Sequence, residues 1–527
     1  MREGGSTGGF KRRLSLLDLT LIGVGAIVGS GWLFAALNGA LVAGPLAWAA
    51  WILGAFVVTI IGIVYAEIGA ALPRAGGFVR YPEYTHGSLV GYIIGFMGML
   101  SYSSVAGVEV EAVRQYTQHW WPGLTAPGGN PSTGGFIFQF SLLVLFFLLN
   151  YWSVNVFGKV NTVLTLIKFI VPLLTITALL TQFHVSNLRV GGASPGGVNG
   201  IFQAVSTAGI VFAFLGFRQA VDFGAEAKNP QRDIPRSIVF AVVISTAIYL
   251  LLQMCFIGAV PPQNLTHGWH ALAAVYTSPF ADIATAVGMG WLSYVIFADA
   301  MISPSGTGNV YMSGTARSIY SWAKTGYFYS WFGKINKRTG IPRGALWLTL
   351  VLSAMWTMPM HFQLWQGLVG AVTSAPVMTY VMGPVSAGSL RRTMPDLPRP
   401  FRLRGLGFWS PVAFVFATLI IYWTGWNANS LLISLVIGSL VLYFAFIDKD
   451  ELRSRVREWK NGAWLVVYYL FILMISRVGD YTGEGMHVYI PFPWDSIIVA
   501  AGAILFYYWG VTSAMRRPRI TVDEDEV

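Results

Sequence analysis

Four charged side chains in this 527-residue sequence sit where apolar neighbours leave them little water: Lys168, Arg218, Asp222 and Asp299. A lysine amine in such a place has its pKa lowered by burial, so it can gain and lose a proton in the working range. A guanidinium stays charged and can hold a carboxylate through two parallel hydrogen bonds. Asp222 follows Arg218 at four residues, a spacing that also pairs them on one helix face. Both readings of Arg218 stand, as a ligand for a substrate carboxylate and as half of an ion pair, and they are compatible if Asp222 orients it. Asp299 is a candidate supporting charge for Lys168. The backbone offers chemistry as well. Gly25-Ala26-Ile27-Val28-Gly29-Ser30-Gly31-Trp32 lies inside the apolar run Leu16–Leu46 and carries three glycines in seven residues. Each costs a helix roughly 1 kcal/mol relative to Ala. Unwound backbone at membrane depth is tolerable only where it faces a cavity inside protein. A half-helix starting near Ser30 would aim N–H groups and a positive dipole end into that cavity. One ending near Ala26 would aim carbonyls into it. Such a break can take the carboxylate and the ammonium of an amino acid side by side.

The elements that must position these groups are membrane spans. Hydrophobic residues make up 55% of the chain and charged residues only 11%, which excludes an ordinary soluble protein. Apolar runs long enough to cross a bilayer centre on Ile27, Val58, Met99, Val144, Leu173, Ile210, Tyr249, Leu292, Leu350, Val377, Phe416, Ser439, Leu470 and Leu505, fourteen in all. The expected fold is an all-α integral membrane protein. Met1–Phe10 is Gly-rich and polar, unlike a cleaved leader. With the N-terminus in the cytoplasm and the spans alternating, the 34 Lys and Arg fall on the inner side, except Arg114, Arg189 and Arg477 outside and Lys168 and Arg218 within spans. The net charge of +11 therefore reflects topology rather than a nucleic-acid partner. The single Cys255 excludes an intramolecular disulfide. No Cys/His cluster has metal-binding spacing, and no Ser/His/Asp set converges, so no metal, cofactor or enzyme chemistry is expected.

Span 6 repeats the pattern of span 1: Gly209-Ile210-Val211-Phe212-Ala213-Phe214-Leu215-Gly216-Phe217 is apolar and glycine-marked. Five spans separate the two, so they run in opposite directions. Two interrupted helices at matching places are the mark of an inverted repeat with a site near the midplane. The expected organisation is a tail (1–14), a core (15–390) of repeats at about 15–181 and 199–390, four peripheral spans (391–514) and an inner tail (515–527). Span 2 ends in a rigid charged gate region bearing Glu67, Arg74 and Arg80. Glu109, Glu111 and Arg114 on span 3 are expected near the outer mouth, as vestibule groups or, the preferred reading, as interfacial ones. A short inner turn is expected at Asn155–Lys159, a kink at Pro172 in span 5, a bend at Ser303-Pro304-Ser305-Gly306 in span 8, and an amphipathic surface helix at Lys449–Lys460. The tail Asp523–Glu526 is expected to be disordered.

Across spans 1 to 10 the chain resembles the amino acid–polyamine–organocation (APC) transporter superfamily. The likeness rests on Gly25–Gly31, on Glu67–Tyr81 after span 2, on Val160-Asn161 to Lys168, and on Glu226-Ala227-Lys228-Asn229-Pro230-Gln231-Arg232-Asp233-Ile234-Pro235. Phe217-Arg218-Gln219 and Asp299 to Ser303-Pro304 most resemble its aspartate–proton symporter branch. The resemblance implies a five-plus-five, LeuT-like inverted repeat with helices 1 and 6 broken, a midplane amino acid site and alternating access. In proton-coupled members the lysine matching Lys168 takes the place of a sodium ion. Expected substrate-binding residues are Ala26, Ile27, Gly29, Ser30, Gly31, Trp32, Val211, Ala213, Phe214 and Arg218, with Lys168 and Asp299 coupling the proton. A Cβ at Gly29 or Gly31 would crowd the substrate carboxylate. Trp32 and Phe214 serve either as aromatic gates or as packing. The expected partners are an amino acid, protons and the lipid bilayer. The expected function is proton-coupled symport of aspartate or glutamate across the plasma membrane, with both termini cytoplasmic. Carriage of neutral or cationic amino acids or polyamines is the rival, and a non-transporting amino acid sensor the reading from another class. No oligomeric state is read from the sequence.

Overall fold

The computed structural model describes residues 12–520 apart from 128, 153, 193–194, 327, 359–364, 447–457 and 483–484, and only the backbone of 154–163, 365–371 and 445–446. The principal helices are α1 (Leu16–Ile27), α2 (Ser30–Ala43), α3 (Ala47–Ala71), α4 (Gly77–His86), α5 (Ser88–Thr117), α6 (Thr133–Tyr151) and α7 (Val154–Leu179). The second half of the core holds α8 (Gly197–Thr207), α9 (Ile210–Phe214), α10 (Gln219–Asp222), α11 (Pro230–Ala259), α12 (Pro279–Ala286), α13 (Gly290–Lys324), α14 (Arg343–Trp356), α15 (Trp365–Tyr380) and α16 (Met382–Thr393). Last come α17 (Leu406–Trp423), α18 (Trp426–Phe446), α19 (Trp459–Val478) and α20 (Trp494–Ser513). Among the described residues β-structure is confined to isolated bridges.

Nine helical stretches among the described residues are long and apolar enough to cross a membrane, and ten if the bent pair Gly197–Thr207 and Ile210–Asp222 counts as one span. The protein is thus a multi-pass membrane protein. The fourteen apolar runs of the sequence do not all become long uniform helices, because several are interrupted: α1 has 12 residues, α14 has 14 and α16 has 12. A capping box starts α1, in which the Ser15 N–H donates to Asp18 Oδ2 at 2.8 Å and the Asp18 N–H to Ser15 Oγ at 3.3 Å.

Helices in lipid associate through close packing rather than through a hydrophobic driving force. α3 lies along α11 on this principle. A Cβ on Gly62 would stand 2.8 Å from Ile238 Cγ2, so only glycine allows that approach. The outward faces carry exposed Leu166, Ile170 and Leu173 on α7 and Val243 and Leu251 on α11. At the centre α5 and α13 run along each other, and α1 packs on α7 and α11.

Two local expectations are corrected, and a third lies largely outside the described residues. The backbone is already helical from Val154, so Asn155–Lys159 belongs to α7 and is not a turn. Pro304 lies inside α13, which continues unbroken through Ser303–Gly306 to Lys324. The Arg- and Tyr-containing segment after it is therefore the inner half of the same helix. Of Lys449–Lys460, residues 449–457 lie outside the described residues, while Trp459 and Lys460 open α19. Asp523–Glu526 lie outside the described residues too.

Candidate functional site

The glycine-marked stretch of span 1 is broken where its composition requires. α1 ends at Ile27, α2 starts at Ser30, and Gly29 between them has φ −126° and ψ −140°. Side chains from four other helices meet the backbone groups freed there. Lys168 Nζ, fully buried on α7, donates to the Gly25 carbonyl at 2.6 Å and to Thr307 Oγ1 at 2.8 Å. Thr307, on α13, also lies 2.9 Å from the Gly25 carbonyl and 3.3 Å from that of Val28. The Tyr249 hydroxyl of α11 donates to the Ile27 carbonyl at 2.7 Å. On the opposite side of the break, the Ser30 N–H donates to Glu109 Oε2 at 2.9 Å. The turn is thus held by a cation at its carbonyl end and a carboxyl group at its amide end, as expected of helix ends with unsatisfied groups.

The second break sits at Gly209, whose φ of 87° is in the left-handed region that favours glycine. There α8 ends, and the chain bends by 46° into the stretch Ile210–Asp222. The two breaks touch. A Cβ on Gly31 would meet Ala213 Cβ at 2.8 Å, and one on Gly216 would meet the backbone of Ala26 and Ile27 at 2.5 Å. Ala26, Ile27, Gly31 and Ala213 are therefore brought together as the sequence suggested, but the reason for glycine differs. Gly31 is small to admit α9, and Gly29 is small because Thr307 Oγ1 and Glu109 Oε1 would lie 2.5 and 2.9 Å from its Cβ.

Other candidates are placed differently. Arg218 does not open a half-helix; it ends the tightly wound segment Leu215–Arg218, well past the break. It is fully buried, with Nε donating to Asp222 Oδ2 at 2.8 Å and the other nitrogens to Thr379 Oγ1 at 3.2 Å and Ser318 Oγ at 3.3 Å. Its guanidinium stacks 3.3 Å from the Tyr102 ring centroid and 4.3 Å from that of Phe78. Among the described residues, Asp222 Oδ1, both side-chain polar atoms of Gln219 and the Tyr102 hydroxyl are buried without a partner in hydrogen-bond geometry. Phe214 packs edge-on against Trp51 and Tyr249, at 5.7 and 5.6 Å, and Val211 is buried. Trp32 packs on Phe280 at 5.5 Å. Asp299 accepts from Ser303 Oγ at 2.7 Å, while Lys168 spends its own hydrogen bonds on Gly25 and Thr307. Asp299 Oδ1 and Trp32 Nε1 are both buried, and among the described residues neither meets a partner in strict hydrogen-bond geometry.

Glu109 is the main correction. It is buried at the first break and is not an interfacial group of the outer mouth. α5 has 30 residues, about 45 Å at the helical rise, against a bilayer core of about 30 Å. A helix of that length carries Glu109 alongside Ser30 inside the molecule. An intramembrane acid is a functional signal in its own right, and that signal was available in the sequence. Thr307 was hidden by centring span 8 on Leu292, because α13 runs on to Lys324. Glu111 and Arg114 do form an ion pair, extended by Thr125 and Gln139, beside an outer cavity of about 290 Å³ that Phe34, Asn38, Gln115 and Tyr276 also line.

A family model described as amino acid permease matches residues 14–475. The chain belongs to this family. The permease is 43% identical to the aspartate-proton symporter of Bacillus subtilis (strain 168), over 98% of this chain and 99% of that protein. It is 40% identical to the glutamate/serine transporter AimA of the same organism, over 95% of this chain and 94% of that protein. Cationic amino acid transporter 4 of Homo sapiens is 28% identical over 63% of this chain and 53% of that protein. The family is one of transporters and not of enzymes.

Proposed function

We propose that this permease is a proton-coupled symporter of an acidic amino acid, aspartate or glutamate, in the plasma membrane, driven by the proton gradient without a cofactor. The observation that carries the reading is Lys168 Nζ on the Gly25 carbonyl at the broken first helix. An amine there can hold the turn while it carries its proton and release the turn when the proton leaves. Glu109 is the natural counterpart. Its carboxyl group occupies the Ser30 N–H that a substrate carboxylate would seek, so the substrate displaces it and it takes up a proton or a new partner. Asp299 contributes charge near Lys168 without touching it. The names of the two relatives above 40% identity or at it support acidic substrates and proton symport.

The core at 15–390 is read as two inverted five-span units, about 15–181 and 199–390. The first opens with the α1–α2 break and the second with the α8–α9 break, and alternating access carries the site between the two faces. The spans of 391–514 are peripheral, and the tails, 1–14 and 515–527, lie in the cytoplasm. Substrate main-chain contacts are assigned to Ala26–Gly31 and to Val211–Phe214, with Trp32 closing the outer side.

A second reading is favoured by one observation. Every nitrogen of Arg218 already donates to this chain's own Asp222, Thr379 or Ser318, which suits a neutral substrate such as serine. Uptake of labelled aspartate into proteoliposomes, with and without an inward proton gradient, separates these possibilities from a non-transporting sensor. Gradient-driven accumulation supports symport, uptake that only exchanges with internal amino acid makes the protein an exchanger, and the absence of both would leave the sensor. If serine competes and aspartate does not, the acidic reading fails.

A further inference from the structure

Two neighbouring recesses at the Arg- and Lys-rich end of the molecule share Gln231 and Arg232. One, of about 700 Å³, is walled by Ile63, Val239, Phe240 and Phe401. The other, of about 510 Å³, is bordered by Arg12, Lys228 and Arg232. Arg12, Lys228 and Arg232 are exposed, as is Arg236 on the rim of the apolar recess. Among the described residues no carboxylate pairs with any of the four. Phe240 is 47% exposed and continues into Val243 and Ile244 on the outward face of α11, so the apolar recess opens towards lipid. The cationic recess opens towards the inner aqueous side, where the positive-inside rule puts it. A free anion would use only the second recess and an uncharged chain only the first. An occupant that uses both carries an anionic head joined to an apolar tail.

We propose that the two recesses form a single binding site for an anionic phospholipid of the inner leaflet, with its phosphate among Arg12, Lys228 and Arg232 and an acyl chain along Val239, Phe240 and Phe401. Basic sites between helices at the inner face have the chemistry for such headgroups. The site adjoins a clasp. Arg13 and Leu14 donate their N–H groups to the Glu226 carbonyl at 2.9 Å, and the Lys228 N–H donates to the Leu14 carbonyl at 2.8 Å. A phosphate held between Arg12 and Lys228 therefore tightens the join between the segment entering α1 and the segment entering α11.

The test uses the full-length protein purified in detergent and native mass spectrometry with phosphatidylglycerol or phosphatidylcholine of identical acyl chains. The expected result is that phosphatidylglycerol is retained about tenfold better. The triple variant Arg12→Gln/Lys228→Gln/Arg232→Gln should lose that preference. A control triple variant at the exposed Lys334, Lys337 and Arg338, each changed to Gln, should keep it. Inorganic phosphate at matched concentration should fail to displace the lipid. Should the triple variant not fold, the single exposed change Arg232→Gln is used and should cut the preference severalfold. Equal retention of the two lipids by the wild type, an unchanged preference in the site variant, or equal loss in the control variant overturns the proposal. Displacement by inorganic phosphate overturns it in favour of a simple anion site.

Discussion

Lys168 and Glu109 grip opposite ends of one unwound turn, and their different chemistry gives two separable outcomes. Lys168→Ala removes the donor to the Gly25 carbonyl. Accumulation driven by a proton gradient should fall to the level set by exchange alone, while labelled substrate still binds weakly; proteoliposome uptake with and without the gradient reads this. Glu109→Gln keeps a group that can accept the Ser30 N–H but cannot ionise. Binding should survive, and the dependence of uptake on external pH should flatten. A Glu109→Gln protein whose pH profile matches the wild type would remove Glu109 from coupling. Arg218 asks a different question. Breaking a fully buried ion pair by truncating one partner typically costs about 3–5 kcal/mol, so Arg218→Ala alone confounds stability with specificity. The informative measure is competition by aspartate relative to alanine in the folded fraction. A selective loss of aspartate competition would make Arg218 a substrate ligand, and an equal loss would make it structural.

At the scale of elements, the two broken spans work because glycine lets them touch. Gly216→Ala places a Cβ 2.5 Å from the Ala26–Ile27 backbone, where there is no flexible side-chain end to give way. Overpacking of this kind costs about 1–3 kcal/mol, and here the strain falls on the site itself. Substrate affinity should drop more than thermal stability does, as measured by ligand binding and by unfolding temperature in detergent. The connecting helix α4 supplies a pH-dependent contact. Burial pushes the His86 imidazole down to about 4, while its ring nitrogens meet the Gly510 carbonyl at 2.9 Å and Thr85 Oγ1 at 2.8 Å. Its folded value lies below that of the unfolded chain, so the unfolded state binds the extra proton first. Stability is intact above about pH 6.5 and is lost progressively as pH falls towards 4. The unfolding temperature should drop between pH 7 and pH 5, and His86→Gln should shrink that drop.

At the scale of the whole molecule, the end that holds Glu226 and Glu67 is tied together by ion pairs. Glu226 Oε1 accepts from Arg317 Nε at 2.6 Å, both buried, and Ala75 bridges Phe223 beside them. Glu67 is gripped by Arg391 at 2.8 and 2.6 Å and also accepts from the Leu403 N–H at 2.7 Å, which ties the end of α3 to the loop before α17. A cavity lies at Phe34, Asn38, Arg114 and Tyr276. Under the proposed alternating access, opening the Glu226 end requires the Glu226–Arg317 pair to part. Glu226→Gln should therefore favour the inward-open form: a cysteine placed at Ala75 should be labelled faster, and Cys255, being buried, adds little background. Unchanged labelling would show that this pair does not hold the inner gate.

The all-helical membrane fold, the break at Gly25–Gly31, the second break near Gly209 and the special standing of Lys168 were all readable in the sequence. Hydropathy and glycine are local signals, and a charge among apolar residues is conspicuous without any partner. What tertiary structure alone decided is which groups meet. Glu109 reaches Ser30 across 79 positions of sequence, and Thr307 reaches Gly25 across 282. Neither encounter follows from spacing, because each depends on how far two helices slide along each other before packing stops them. The same holds for the close approach of Gly31 to Ala213, which no spacing in the sequence announces. A residue's chemistry is written in its type, while its partner is set by the register of the helices around it.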